Sequence, residues 1–352
     1  MRYVSIEQVE PGDILFRSIY TSDGLTLLQT DMQLTVGMIN KLRRFGVTML
    51  YIKDPLTDDV KLEEVVSEST RKEAVSNLSK AMQCVQTGKA IDLRGIQKTT
   101  ASLIDELMKN RRVMVNLTDI RTNDNHLFIH SLNVCMMSTV IGISLGYNQN
   151  QLKELAMGAL LHDIGKVSKD EEDASNRELG DQHHSWTGFN LLRRKYEMSI
   201  VSAHVALQHH EWVNGKGMPR GLTGPEIHDF AKITAIANYY DNLISPFSAE
   251  EETLMPFEAC EKIMALANYQ FDHDMVIRFL RSIATYPTGS SVKLSTGEIG
   301  VVIDQNRGLP TRPVVRVIRR DKPASKRMDE EHEVLDIDLS EETTIFITGV
   351  LT

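Results

Sequence analysis

The chain has 352 residues, 41% of them hydrophobic and 25% charged, which supports real cores and suits two or three domains. Its formal net charge of −9 excludes the broad basic footprint of a non-specific duplex-DNA binder. No DNA partner is expected, and an anionic ligand would need local positive charge, of which metal ions are one source. The three cysteines, Cys84, Cys135 and Cys260, form no CxxC pair and no even set, and read as buried free thiols of a reducing compartment.

The start, Met1 to Asp13, has no charged segment followed by an apolar one, so no signal peptide and a cytoplasmic protein are expected. Residues 1–58 read as a small mixed α/β module. Weak alternation through Tyr3–Ile6 is followed by a turn signal at Pro11-Gly12-Asp13 and by strands at Ile14–Phe16 and Leu25–Leu28, split by Ser22-Asp23-Gly24. A helix over Leu34–Phe45 and a strand over Val47–Ile52 complete it. Residues 59–118 turn helical, with Val75, Leu78, Met82, Val85, Leu103 and Leu107 at three- and four-residue steps. They read as a helical connector or stalk, or else as two helices packed on their own domain.

Residues 119–285 are helix-rich. The most apolar stretch, Leu132–Leu145, is too short for a bilayer and contains Asn133, Ser138, Thr139 and Ser144, so no membrane span is expected. Leu152, Leu155, Ala156, Ala159 and Leu160 make one helix face that runs into His162-Asp163, where Gly165 is expected to stop the helix. After Tyr286-Pro287 the style becomes β. Strands are expected near Ser291, over Ile299–Ile303, over Val314–Ile318 and over Thr344–Thr348, with a charged loop from Asp321 to Glu333, giving a small antiparallel β-domain over 286–352.

Eight of the 11 histidines lie between positions 126 and 210: His126, His130, His162, His183, His184, His204, His209 and His210. Core packing rarely produces such a density around a His-Asp step. Imidazole and carboxylate are the usual ligands of catalytic Zn, Mn or Fe, and one carboxylate can bridge two ions. Asp163 is well placed to bridge. His126 and His130 share a helix face at i, i+4. His209 and His210 point roughly 100° apart, so they are expected to serve different ions, or one supports the other. His183 reads as a neighbour of a ligand, His204 as packed on its helix, and His228, His273 and His332 as surface residues.

The ordered series His130-Ser-Leu-Asn-Val, Leu-Leu-His162-Asp163-Ile-Gly-Lys166, His184 with Gly188, and His209-His210-Glu211 followed by Asn214-Gly215-Lys216-Gly217-Met218-Pro219 resembles the HD-GYP family, over about residues 120–250. The resemblance implies a mainly α protein: a helical phosphohydrolase domain flanked by the N-terminal α/β module and the C-terminal antiparallel β-domain. It implies two divalent ions, with a third as an option, and hydrolysis of cyclic di-GMP to pGpG or GMP in bacterial signalling. By position it implies metal ligands at His130, His162, Asp163, His184, His209 and His210. It also implies catalytic roles for Asp163 and Lys166, the latter on a phosphate, and a substrate loop from Asn214 to Pro219. The expected chemistry is attack by a metal-activated water, without a serine or cysteine nucleophile.

Four features depart from the pattern. The last metal-binding aspartate is Asn238, a weaker ligand without charge. The Gly-Tyr-Pro signature reads Gly217-Met218-Pro219, so a flat ring is replaced by a soft apolar chain. The cations expected after the last ligand segment are absent at Ser245-Pro-Phe-Ser248. His126 stands where trinuclear members carry a carboxylate, and is a candidate for the third ion or a helix-surface histidine. The alternative function is a degenerate module that senses a nucleotide or binds a signalling partner; a homodimer is left open.

Overall fold

A computed structural model describes residues 1–21, 25–60, 64–110, 114–115, 120–168, 180–245, 252–320 and 332–351. The expected turn at 22–24 and the charged loop over 321–331 lie outside them, as does the side chain of His183. The N-terminal module comprises β1 (Arg2–Ser5), β2 (Ile19–Tyr20), β3 (Thr26–Leu28), α1 (Val36–Arg44) and β4 (Met49–Ile52). β1 pairs antiparallel with β4 and β2 with β3, around a core that includes Leu15, Ile19, Leu34, Leu42 and Leu50. The strand expected over Ile14–Phe16 is not formed. Ile14 and Leu15 make single bridges to Gln33 and Ile52, because Leu15 is drawn fully into the core while its neighbours stay at the surface.

The helical unit follows: α2 (Glu68–Gln86), α3 (Arg94–Lys109), α4 (His126–Ser144), α5 (Gln149–Leu160), α6 (Gly180–Leu192), α7 (Ile200–Gln208), α8 (Asp229–Ile244), α9 (Pro256–Ala265) and α10 (His273–Leu280). α2 and α3 do not stand free as a stalk. Leu78, Met82, Leu103 and Leu107 are buried in one core with Leu132, Leu155 and Ile236 of α4, α5 and α8. The Ser67 amide, which precedes α2, and the Thr70 hydroxyl both donate to Glu106 of α3, at 2.6 and 2.5 Å. The connector is therefore part of the helical body.

α4 is the centre of that body. It is apolar on all sides, and a helix of that kind is stable only when surrounded. Its mean hydropathy of 1.6 over a membrane-length window would pass for a span, but 67% of the window is buried among α5, α8 and their neighbours.

The C-terminal domain is a five-stranded antiparallel sheet in the order β8-β7-β6-β5-β9, with β5 (Ser291–Leu294), β6 (Ile299–Asp304), β7 (Val314–Arg320), β8 (His332–Asp338) and β9 (Ile347–Leu351). β8 went unread because its charged and apolar residues follow directly on the charged segment. The last strand begins three residues later than expected. Val292, Leu294, Val302, Val315, Val317 and Ile337 alternate into its core, as period-2 patterning requires. The two terminal modules touch. The Tyr51 hydroxyl donates to the Thr288 carbonyl at 3.1 Å, the Tyr3 amide donates to the Gly289 carbonyl at 3.0 Å, and Arg316 pairs with both Asp59 and Asp336.

Candidate metal centre

α5 ends at Leu160, two residues before the His-Asp step, so His162 and Asp163 lie in the turn beyond it. Helix ends leave carbonyls without intrahelical partners. His162 Nδ1 donates to a carbonyl of the last turn, Ala159 O, at 2.8 Å. His209 repeats the device past the end of α7, with Nδ1 2.9 Å from Ala206 O and 3.1 Å from Val205 O. A carbonyl can only accept, so both rings carry a proton on Nδ1 and turn Nε2 to the interior.

Gly165 does not stop α5 as expected. It lies within a short 3-10 turn, Ile164–Val167, and its place is dictated by contact. A Cβ there would overlap the His184 carbonyl, so glycine lets α6 lie directly on the turn. That contact brings His184 beside Asp163.

Two donor groups result, sharing one carboxylate: His130, His162 and Asp163 in the first, and Asp163, His184, His209 and His210 in the second. Asp163 Oδ2 faces His130 Nε2 at 3.5 Å and His162 Nε2 at 3.3 Å, while Oδ1 faces His184 Nε2 at 3.5 Å and His209 Nε2 at 3.6 Å. Among the rings themselves, Nε2 atoms approach to 3.3 Å for His130–His162, 3.3 Å for His184–His209 and 3.2 Å for His184–His210. His210 is half-buried; the other donors are buried.

These residues fit divalent cations. Asp163 is fully buried and, among the described residues, its Oδ1 has no hydrogen-bond donor. A buried carboxylate oxygen left in that condition is costly, whereas a cation between it and converging imidazole lone pairs satisfies every atom. Burial opposes ionisation of Asp163, but His162, Lys166 and His130 outweigh it and hold the carboxyl well below the usual range. Burial, reinforced by His210, keeps the His209 imidazole well below its ordinary value, so it stays neutral and able to ligate. Lys166, part-exposed, donates to Asp163 Oδ2 at 2.8 Å.

A supporting network surrounds His130. Its Nδ1 donates to Asp241 Oδ2 at 2.6 Å, and Asp241 receives two bonds from Arg121, at 2.9 and 2.5 Å, and one from Asn133 at 3.4 Å. Burial opposes this charge as well, yet Arg121 and His130 hold Asp241 well below its ordinary range. Asp241 is thus occupied as a structural carboxylate, and its bond to Nδ1 fixes the orientation of the His130 ring. Arg121 and Asn133 were not among the expected functional residues. Nothing in their spacing marks them, because their partners are more than 100 positions away.

Other expected residues fall elsewhere. His126 joins neither donor group; its Nε2 bonds the Ser245 carbonyl at 3.0 Å, and burial, aided by Arg121, pulls it down to about 4. Asn238 is buried on α8, where its Oδ1 accepts from Asn242 Nδ2 at 3.1 Å. His204 packs on Phe189, with ring centroids 4.9 Å apart. His228 lies at the surface as expected, where its Nδ1 accepts from the Phe230 amide and caps α8.

The loop from Asn214 to Pro219 is shaped by backbone. Gly215 takes φ +78°, a conformation that favours glycine. Gly217 packs so closely on the Glu211 and Trp212 backbone that no side chain fits, and the Met218 amide donates to the His210 carbonyl at 3.0 Å. Glu211 joins neither donor group and accepts from the Arg220 and Leu222 amides at 2.7 and 2.9 Å. Asn214 Oδ1 accepts from the Lys216 amide at 2.9 Å.

Residues 106–275 match the model of the HD domain, and residues 291–352 match that of the KOW domain associated with HD domain. A cyclic di-GMP phosphodiesterase of Pseudomonas aeruginosa is 26% identical over 239 residues, 65% of this chain and 57% of that protein. The cyclic di-GMP phosphodiesterase response regulator RpfG of Xanthomonas campestris pv. campestris is 28% identical over 233 residues, 60% of this chain and 59% of that one. The 3'3'-cGAMP-specific phosphodiesterase 1 of Vibrio cholerae is 31% identical over 147 residues, 40% of this chain and 33% of that one. The chain thus spans between a third and three fifths of the length of these relatives.

Proposed function

We propose, for a chain that carries an HD domain of the HD-GYP type followed by the KOW domain associated with it, metal-dependent hydrolysis of a cyclic dinucleotide, with cyclic di-GMP as the substrate. The observation that carries this reading is the buried Asp163 carboxylate, whose two oxygens each face a separate set of imidazole nitrogens. Two divalent ions would be held there, one by His130, His162 and Asp163, the other by Asp163, His184, His209 and His210. They would supply Lewis-acid polarisation of a phosphoryl group and lower the pKa of a water.

The chain's own residues do the rest. His162 and His209 keep Nε2 turned inward because their Nδ1 protons are committed to helix-end carbonyls. Asp241 and Arg121 hold His130 in the same state. Lys166, beside the carboxylate and reaching solvent, is positioned to meet a non-bridging phosphoryl oxygen and offset the charge that grows there. The loop from Asn214 to Pro219 forms a wall for the nucleotide. Asn238 brings no negative charge to the site, so its contribution to ion affinity is weak.

Asp163→Asn tests the assignment. The amide keeps the volume but cannot join two cations. Metal content should fall and conversion of cyclic di-GMP to a linear product should drop by at least about 10³-fold, with helical content retained. Turnover near the native rate in that variant would remove the basis of the proposal.

A further inference from the structure

The signature loop has Met218 where a tyrosine would offer a flat surface, and no cation stands at Ser245. A purine base has to be gripped by other groups, and the loop carries some. The Trp212 ring, two residues past His210, lies 6.1 Å from the Tyr269 ring, and Lys216 Nζ stands over the face of the same Tyr269 ring, 5.7 Å from its centroid, where an incoming base would displace it toward the phosphate. The Val213 amide donates to the Gln270 carbonyl at 3.1 Å, so the turn bearing Tyr269 is joined to the loop by backbone. On its other side the loop closes on the metal centre, through the Met218 amide and the His210 carbonyl.

Tyr269 is 46% exposed and Lys216 is exposed, so neither is consumed by a core. Two residues of extended chain reach at most about 7 Å, which keeps the Trp212 backbone within one nucleotide's span of the His210 backbone. An aromatic face beside a cation suits a base next to a phosphate: the ring takes the π-face, and the ammonium takes the charge.

Resting on the functional reading above, we propose that Tyr269, backed by Trp212 and flanked by Lys216, is the platform on which one guanine of the cyclic dinucleotide stacks while its phosphodiester lies at Asp163. Tyr269 is then a specificity-determining residue. It replaces, from a different element, the aromatic surface missing at Met218.

The test compares Tyr269→Phe with Tyr269→Leu in the full-length, metal-loaded protein. Phenylalanine keeps the π-face, whereas leucine keeps only apolar bulk. Leucine should raise KM for cyclic di-GMP about tenfold with a smaller change in kcat, and phenylalanine should stay within about twofold of the native value. The chain has two tryptophans, so in a Trp186→Phe background Trp212 alone reports; its emission should change on titration with cyclic di-GMP, and less so with leucine at 269. A native KM and an unaltered titration in the leucine variant, with the wild type turning over, would overturn the platform and leave the functional reading standing. A wild type that neither binds nor hydrolyses cyclic di-GMP would overturn both.

Discussion

His162 and His209 perform one operation at the ends of two different helices. Each commits its Nδ1 proton to a carbonyl of the last helical turn, and the helix end thereby turns Nε2 toward the donor cluster. His126 is the contrast. It is half-buried at the start of α4 and tied to the Ser245 carbonyl, and its pKa is lowered to about 4 by burial first and Arg121 second. The unfolded ring takes its proton near the ordinary 6.5, so between that value and about 4 the unfolded chain binds the extra proton. The contribution of neutral His126 is complete above pH 6.5 and is lost as pH falls towards 4. After allowance for partial solvent screening this is on the order of 1–2 kcal/mol. His126→Gln should flatten the acid limb of the Tm–pH curve over that window, and an unchanged slope in the variant would show that the ring titrates alike in both states.

At the scale of elements, the site depends on close approach. α6 reaches Asp163 only because Gly165 allows its backbone to rest on the His184 carbonyl. Gly165→Ala cannot be relieved by a side-chain rotation, since the obstacle is main chain. It should cost about 1–3 kcal/mol and displace His184, lowering turnover about 10²-fold. A variant of native stability and rate would mean that the turn and α6 are free to part. α4 and α8 are joined by the buried group of Arg121, Asp241 and His130. Arg121→Met strands a buried carboxylate and should cost about 3–5 kcal/mol in denaturant unfolding at neutral pH. Asp241 is held below its ordinary 3.8, so its share of stability is complete above that value and disappears as pH falls beneath it. The native protein should therefore lose its advantage over Arg121→Met in strong acid.

These elements also show what the sequence could carry. Period made the helices readable because it depends on neighbours a few positions away, whereas the ligand histidines were named only through the resemblance that the ordered motifs carry. Gly165 was misread as a helix stop because a glycine required by long-range contact looks the same in sequence as one required by a left-handed cap. Arg121, Asn133 and Tyr269 were invisible for the same reason: their partners are distant in the chain. The strand over 332–338 was lost against a run of charge that overrides weak alternation.

On the scale of the whole molecule, one helical core holds the candidate donor groups while the two β-bearing modules meet at its flank. Tyr51, Thr288, Asp59 and Arg316 link those modules to each other, and Arg17 pairs with Glu64 at 2.7 Å. All the donor atoms lie inside the helical body, so removal of the ions should be felt there first. The chelator-treated protein should show a lower Tm, because Asp163 Oδ1 is then left without a partner. The most direct measurement is metal content against turnover on the same sample, before and after chelation and after repletion. About two equivalents of divalent metal per chain are expected, with linear product formed from cyclic di-GMP, both lost on chelation and both restored together. Product formation that persists in fully metal-free protein would contradict the account at its centre.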